Sequence, residues 1–276
     1  MTDTVHMTEE TAKRFRLLVE YDGSDFLGWQ FQSNGRTVQG EMESALQRLF
    51  RRHVRLHGAG RTDSGVHASG QVAHFDLACR LDAGTMVNAL NAELPADITV
   101  HDAEIVDRDF HSRFSASSRS YEYTIVHRRV SIDRRRQWSL YPAIDHDAVR
   151  EAVSCLEGTH DFKAFAKVVP AMQHHYCHVF HAEWTSDGAL THFHIKANRF
   201  LQGMVRCLVG SLVHVGRRRI TPSDFVSILE ERDRGRAPML APAQGLVLTH
   251  VGYDREERAL INDIMERLRA SREMEE

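Results

Sequence analysis

The stretch HGAGRTDSGVHASGQVAHFDL, residues 57–77, joins a polar, glycine-rich loop directly to a pattern that is typical of a buried strand. The loop places Arg61, Thr62 and Asp63 among three glycines. Residues 71–77 then alternate in the way that favours a strand. Glycine allows backbone conformations that other residues avoid and lets a ligand approach the main chain closely. We therefore interpret the loop as a candidate functional segment within a compact α+β unit.

The N-terminal half, traced outward from this loop, has a β-α-β-β-α-β order of predicted elements. Strands are predicted over residues 15–23, near 54–58, 71–77 and 98–106, and helices over 37–50 and 82–94. The C-terminal half repeats the order and adds a capped helix before its last strand. Its strands are predicted over residues 119–126, 176–184, 190–198 and 245–253, and its helices over 145–158, 199–216 and 221–232.

This order predicts an α+β fold whose two halves have like topology and join their sheets. The predicted organisation is a polar N-terminal tail (1–14), a first half with the glycine-rich loop (15–108), a second half (109–254) and a charged C-terminal helix (255–276). Sites tend to form in the cleft between two such halves.

The composition is that of a globular protein. The chain has 276 residues, of which 42% are hydrophobic and 26% charged, and no apolar run is long enough to span a membrane. The N-terminus is polar, with no apolar segment of a secretory signal. The four cysteines are scattered, without a CxxC spacing. These features favour a reducing, cytoplasmic location.

The charge distribution permits an anionic partner without requiring one. The formal net charge is −3, but both ends of the chain are acidic, which leaves a slightly basic body. The bases are 31 Arg and 4 Lys, with arginine clusters at 51–52, 128–129, 134–136 and 217–219. Arginine binds phosphate through two parallel hydrogen bonds. A solvated surface explains such clusters equally well.

Asp63 is the candidate for chemistry within the loop. An isolated Asp beside glycines is usually a turn residue. Here Arg61 lies two residues away and favours the ionised carboxyl, which can serve as a nucleophile at a sugar carbon or as a base. The loop lacks the GK[ST] ending of a phosphate-binding loop, and its glycine spacing does not fit a dinucleotide site.

Six segments, in order over residues 15–254, resemble the motifs of the tRNA pseudouridine synthase A family. They are YDGSDFLGWQFQSNGRTVQGEMESAL (21–46), GAGRTDSGVHASGQVAHFD (58–76), FHSRFSASSRSYEY (110–123), HDFKAFAK (160–167), ANRFLQGMVRCLVGSLVHVG (197–216) and APAQGLVLTHVGYD (241–254). Six ordered motifs are far more specific than any one of them.

The resemblance implies a fold and an activity. The fold is two ferredoxin-like βαββαβ halves sharing a mixed, mainly antiparallel central sheet. The activity is conversion of uridine to pseudouridine in the anticodon stem-loop of tRNA, at nucleotides 38, 39 and 40. It also implies a homodimer that needs neither a cofactor nor a metal.

The resemblance assigns roles to residues of this sequence. The catalytic residues are Asp63, Tyr121 and Arg206. Substrate-binding residues are Arg61, Thr62, Tyr121 and Leu246, and RNA-binding residues are Arg61, Arg113, Arg119 and Arg199. The carboxylate either adds to C1′ of the ribose or removes the C2′ proton, and the sequence does not separate these routes. Tyr121 is the candidate acceptor for the C5 proton, directly or through water. Arg206 is expected to pair with Asp63.

A histidine-rich hairpin over residues 174–194 is the main competing feature. His192 and His194 share one strand face, and a zinc site with Cys177 can be imagined. The resemblance offers no metal there, so no metal site is expected. In this segment the chain also departs from the common family form, which often has an arginine before the strand near 175–177.

Three other functions stay open at the level of sequence. They are a pseudouridine synthase acting on other RNA uridines, a non-catalytic RNA-binding module and a metal-dependent hydrolase. Each half resembles the topology of an RNA-recognition domain, but the aromatic strand motif of such domains is absent. Inhibition by a chelator would favour the hydrolase.

Overall fold

A computed structural model describes residues 11–142, 144–167, 174–238 and 240–273, and its centre is a mixed sheet flanked by helices. The strands are β1 (Lys13–Tyr21), β2 (His57–Gly58), β3 (His67–Leu77), β4 (Ile98–Val106), β5 (Ser118–Val126), β6 (Trp138–Ser139), β7 (Gly158–Asp161), β8 (Tyr176–Asp187), β9 (Leu190–Ala197) and β10 (Leu246–Gly252). The helices are α1 (Val38–Phe50), α2 (Ala83–Glu93), α3 (His146–Val153), α4 (Met204–Gly216), α5 (Pro222–Glu231) and α6 (Arg255–Glu273).

The sheet order confirms the predicted fold class. The strands run β4-β1-β3-β10-β5-β9-β8-β7, with β2 beside β3 and β6 beside β5. The first half has the order β4-β1-β3-β2 and the second half the equivalent order β10-β5-β9-β8, which is the ferredoxin-like arrangement in both. The β3–β10 and β5–β6 pairs are parallel, and the other described pairs are antiparallel.

The two halves meet where β10 pairs with β3. The parallel pairing is short, with Val247 opposite His67 and Leu248 opposite Ala68. Because β3 begins at the end of the glycine-rich loop, this junction places the loop beside the second half of the chain. The cleft expected between the halves therefore opens at that loop.

Apolar alternation and capped helices account for the core. In β1, Phe15, Leu17 and Val19 are fully buried, whereas the residues between them are partly exposed. Full burial of such a side chain contributes about 1.5–3 kcal/mol. Helix α5 begins with a capping box in which the Thr221 side chain accepts from the Asp224 N–H and the Asp224 carboxylate accepts from the Thr221 N–H.

Several predicted boundaries are wrong, and one error matters for function. Helix α4 begins at Met204 and not at residue 199, because Gly203 has φ 74°, in the left-handed region that a helix cannot contain. Residues 199–202 are consequently free to line the cleft. Helix α3 ends at Val153, before the predicted residue 158, and strand β3 begins at His67, before the predicted residue 71.

The described residues begin at residue 11 and end at residue 273. Most of the predicted tail, residues 1–10, lies outside the described residues, and β1 already begins at Lys13. The charged C-terminal segment forms α6, as predicted. Among the helices of the described ranges, none combines the length and apolar character needed to cross a membrane.

Candidate active site

A cavity of about 1030 Å³ lies between the two halves, bordered by the glycine-rich loop. Its lining includes every residue to which the sequence analysis assigned a catalytic, substrate-binding or RNA-binding role. These residues are Arg61, Thr62, Asp63, Arg113, Arg119, Tyr121, Arg199, Arg206 and Leu246. Because they come from both halves and are far apart in the chain, the fold is what brings them together.

Asp63 and Arg206 form an ion pair inside this cavity. Arg206 Nη1 lies 3.6 Å from Asp63 Oδ2, and Arg206 Nε donates to the Ala241 carbonyl at 2.8 Å. Arg206 is in the first turn of α4, so the hydrogen bond to Ala241 fixes the orientation of its guanidinium. The Asp63 side chain is 32% exposed, which leaves its carboxylate accessible to a molecule in the cavity.

Tyr121 projects from β5 into the same cavity. Its side chain is only 8% exposed, and its ring packs edge-to-face on Phe200 with 5.0 Å between ring centroids. Burial raises the pKa of the Tyr121 phenol well above its usual value, and the neighbouring Tyr21 and Asp63 act in the same direction. Tyr121 is therefore a neutral phenol at physiological pH.

The backbone of the glycine-rich loop is held by buried polar groups. The Thr62 hydroxyl is 2.8 Å from the Tyr21 hydroxyl, and the Trp29 N–H donates to the Thr62 carbonyl at 3.1 Å. The Gln71 side chain donates to the Gly60 carbonyl at 3.0 Å and accepts from its N–H at 3.3 Å. With its hydroxyl engaged, Thr62 supports the loop that carries Asp63, and its substrate-binding role stays a prediction.

Two glycines of the loop have different surroundings. A Cβ on Gly58 would lie 2.5 Å from the Trp29 indole, whereas a Cβ on Gly60 would have no heavy atom within 4 Å.

We predict that Gly58→Ala lowers the free energy of unfolding by about 1–3 kcal/mol through overpacking. The matched Gly60→Ala variant is expected to unfold like the wild type in urea. Equal stability of the two variants would contradict this account of the loop.

Three arginines, Arg61, Arg113 and Arg199, lie near one another at the cavity. Burial, together with repulsion from Arg61 and Arg199, lowers the pKa of Arg113. Within the described residues, no ion pair joins any of the three to a carboxylate. A cluster of uncompensated guanidinium groups favours an anionic ligand such as a nucleic-acid backbone.

Arg119 differs from these three arginines. It is mostly buried, and its guanidinium donates to the carbonyls of Asn198, Ala59 and Arg113 at 2.8–2.9 Å. These bonds tie the glycine-rich loop to the second half of the chain. Its RNA-binding role stays a prediction, and its contacts assign it a structural one.

Leu246 and two aromatic residues add apolar surface to the cavity. Leu246 begins β10 and is 5% exposed. Phe114 is 69% exposed, and the Arg113 guanidinium carbon lies 5.7 Å from its ring centroid. Phe114 and Phe200 were not predicted as site residues from the sequence. The signal for Phe114 was an aromatic residue directly after an arginine in a polar segment, but its exposure is visible only in the structure.

The candidate metal ligands lie away from this cavity. Among the described residues, Glu122, His192 and His194 form the cluster that could hold an ion. Cys177, the cysteine considered at the level of sequence, is buried, and burial raises the pKa of its thiol to about 12. Cys177 is not part of that cluster.

Comparisons with known proteins agree with the resemblance found in the sequence. A family model described as tRNA pseudouridine synthase matches residues 17–115 and 152–254, which include Asp63 and Arg206 but not Tyr121. The tRNA pseudouridine synthase A of Bacteroides thetaiotaomicron is 40% identical over 87% of this chain and 91% of its own length. The protein of the same name from Afipia carboxidovorans is 44% identical over 87% of this chain and 99% of its own length. That from Geobacillus kaustophilus is 37% identical over 92% of this chain and 99% of its own length.

Proposed function

The chain belongs to the tRNA pseudouridine synthase family, and from this premise we propose that it isomerises uridine to pseudouridine in the anticodon arm of tRNA, at nucleotides 38, 39 and 40. The observation that carries the proposal is the Asp63–Arg206 ion pair, 3.6 Å long, inside a cavity bordered by uncompensated arginines. The cavity supplies a carboxylate for the ribose, and the arginines supply charge for the RNA backbone.

Asp63 starts the reaction in this proposal. The N1–C1′ bond of the uridine breaks, the uracil rotates and a C5–C1′ bond forms. The carboxylate assists either by adding to C1′ or by removing the C2′ proton. Arg206 stabilises the negative charge of Asp63 and holds it in place. The product is an isomer of the substrate, in which C5 has lost a proton and N1 has gained one.

Tyr121 and Leu246 form apolar walls that retain the detached base. Retention matters because a uracil that escaped would leave an abasic nucleotide, so the cavity must exclude competing water. The neutral Tyr121 hydroxyl contacts the base and assists the loss of the C5 proton through a hydrogen bond or an intervening water. Because a neutral phenol is too weakly basic to take that proton, the proton passes to a water molecule that the Tyr121 hydroxyl holds by a hydrogen bond.

Arg61, Arg113 and Arg199 position the RNA. The target uridine is in a stem-loop and must be flipped out of its stack, at a cost of a few kcal/mol. Contacts of guanidinium groups with the phosphates on either side offset that cost. The exposed ring of Phe114 supplies a surface on which an unstacked base can pack.

Arg113→Ala is expected to weaken tRNA binding by the contribution of a single phosphate contact. The slope of log affinity against log salt concentration should become shallower by about 0.7–1. The measurement is filter binding across a salt series. Arg150→Ala removes the same charge from an arginine that pairs with Asp147 outside the cavity, and it should leave the slope unchanged. Equal slopes for wild type and Arg113→Ala would exclude this phosphate contact.

Tritium release from tRNA labelled at C5 of uridine tests the proposed function, because the reaction expels the C5 hydrogen. We expect release from an unmodified transcript and none from a matched transcript in which the uridines at 38–40 are replaced by cytidine. Release from both transcripts would favour a synthase acting on other RNA uridines. Binding without release from either transcript would favour a non-catalytic RNA-binding module.

Three accompanying proposals follow from family membership and composition. The reaction needs no cofactor or metal, so turnover is expected to persist in excess chelator. The protein is expected to be a homodimer, which light scattering would report as twice the chain mass of 31.5 kDa. A cytoplasmic location is supported by four cysteines that are all free thiols.

A further inference from the structure

A cluster of three potential metal ligands lies on the sheet face opposite to Tyr121. Glu122 follows Tyr121 in β5, and successive residues of a strand point to opposite faces. In the antiparallel pairing of β5 with β9, Glu122 lies opposite His194, and Thr124 lies opposite His192. The strand register therefore brings one carboxylate and two imidazoles to the same patch of surface.

The distances within the cluster match those of a four-coordinate zinc ion. The ligand atoms of all three residues lie within 4.8 Å of one another. Glu122 Oε1 is 3.3 Å from His192 Nδ1, and Glu122 Oε2 is 3.4 Å from His194 Nδ1. Ligand atoms at about 2.0–2.1 Å from a tetrahedral ion are about 3.4 Å apart. The two short separations involve different oxygens of Glu122, so modest rotations of the carboxylate and the imidazoles are needed to place all three ligand atoms around one ion.

The surroundings of the cluster suit ion binding. The three side chains are 30–40% exposed, so an ion can enter and a water can fill a fourth position. The Thr124 hydroxyl donates to Glu122 Oε1 at 3.3 Å, which orients the carboxylate. The rings of His192 and His194 are nearly parallel, at 18°, with centroids 6.0 Å apart, so the rings must rotate before both can face one ion.

The ligand types select the class of ion. Two imidazoles and one carboxylate suit Zn²⁺ and related transition metals, whereas Ca²⁺ and Mg²⁺ prefer sites made of oxygen atoms. We propose that Glu122, His192 and His194 form a surface Zn²⁺ site that links strand β5 to strand β9. This site is separate from the active-site cavity, and the proposal does not depend on the isomerase activity.

The competing explanation is a pair of ordinary histidine–carboxylate contacts. It predicts the same distances without an ion, so only a binding measurement separates the two. The chain offers a matched control in His181, an exposed histidine of β8 that lies 3.3 Å from Glu157 and outside the cluster. Replacement of His181 removes one surface imidazole and none of the three ligands.

Calorimetric titration of the full-length, chelator-treated protein with Zn²⁺ tests the site. We expect saturable binding of one equivalent at this cluster, weakened at least about tenfold by Glu122→Gln and by His192→Ala, as for loss of a metal-site residue. His181→Ala should bind like the wild type. Co²⁺ should give the visible absorption of a four-coordinate ion in the wild type and in His181→Ala only.

Two results would overturn the proposal. One is the absence of saturable Zn²⁺ binding. The other is binding that Glu122→Gln and His192→Ala leave unchanged, since the ion would then be held elsewhere. Unfolding in urea without metal checks that the variants are folded, and this readout does not depend on enzyme activity.

Discussion

Asp63→Asn is expected to reduce the single-turnover rate on tRNA by at least about 10³-fold, because it removes the group proposed to act at the ribose. The substitution keeps the size of the side chain but removes its charge and its nucleophilicity. Asp63 is 32% exposed and pairs with Arg206 at a modest 3.6 Å, so the stability of the protein should change little. Binding of tRNA should also persist, because the arginines proposed to bind phosphate are retained.

Asp25→Asn is the matched control for this prediction. Asp25 also pairs with an arginine, Arg135, at 2.9 Å, but it does not line the cavity. The control should therefore turn over tRNA like the wild type. An Asp63→Asn protein that is folded, binds tRNA and retains a rate within a few-fold of wild type would remove Asp63 from the mechanism.

Tyr121→Phe is expected to lower the turnover rate by about 10²-fold, the lower end of the contribution of a positioned proton-transfer group. The ring and its packing on Phe200 are kept, so binding and stability should be nearly unchanged. The loss should come from the hydroxyl alone. The measurement is single-turnover kinetics at saturating enzyme, with binding followed separately.

The pH dependence of the turnover rate provides a further test, of the protonation state of Tyr121. Burial disfavours the charged phenolate, so the pKa of Tyr121 in the folded protein lies above its unfolded value. The group thus stays protonated as pH rises through neutrality and beyond the ordinary phenol pKa. The pH–rate profile of the wild type should therefore show no change of slope from ionisation of Tyr121 between about pH 7 and 9. A limb in that range that disappears in Tyr121→Phe would contradict the neutral-phenol account.

Tyr123→Phe provides the matched control on the same strand. The Tyr123 side chain is fully buried, and its hydroxyl donates to the Pro242 carbonyl at 2.8 Å, outside the cavity lining. Loss of that hydrogen bond leaves the partly buried Pro242 carbonyl without this partner and should cost about 1 kcal/mol of stability. The chemical step of the folded protein should be retained. The two tyrosines thus separate an effect on catalysis from an effect on folding.

The fold was largely predictable because hydrophobic periodicity marks both strands and helices. Strand β4 has the predicted bounds, and the two βαββαβ halves follow from the order of elements. The start of α4 was not predictable from periodicity. The apolar residues before it continue the helical pattern, and only the left-handed backbone of Gly203 interrupts it. That interruption matters, because it turns residues 199–202 into part of the cavity lining.

The site was predictable only in part. The proximity of Asp63 to Arg206 came from the resemblance to a family, since no periodicity relates residues so far apart in the chain. The surroundings of Arg119 were not foreseeable, because its three carbonyl partners depend on the packing of loops. The histidine-rich hairpin shows the same limit. The residue that approaches His192 and His194 in the structure is Glu122 rather than Cys177, because the pairing of β5 with β9 fixes which side chains meet.

The central claim is that this chain forms pseudouridine in the anticodon arm of tRNA through Asp63. Its most direct test is mapping of pseudouridine at nucleotide resolution in an unmodified tRNA incubated with wild-type protein and with Asp63→Asn. We predict pseudouridine at positions 38, 39 or 40 with the wild type and at none of them with the variant. Pseudouridine at other positions, or equal modification by both proteins, would contradict the account.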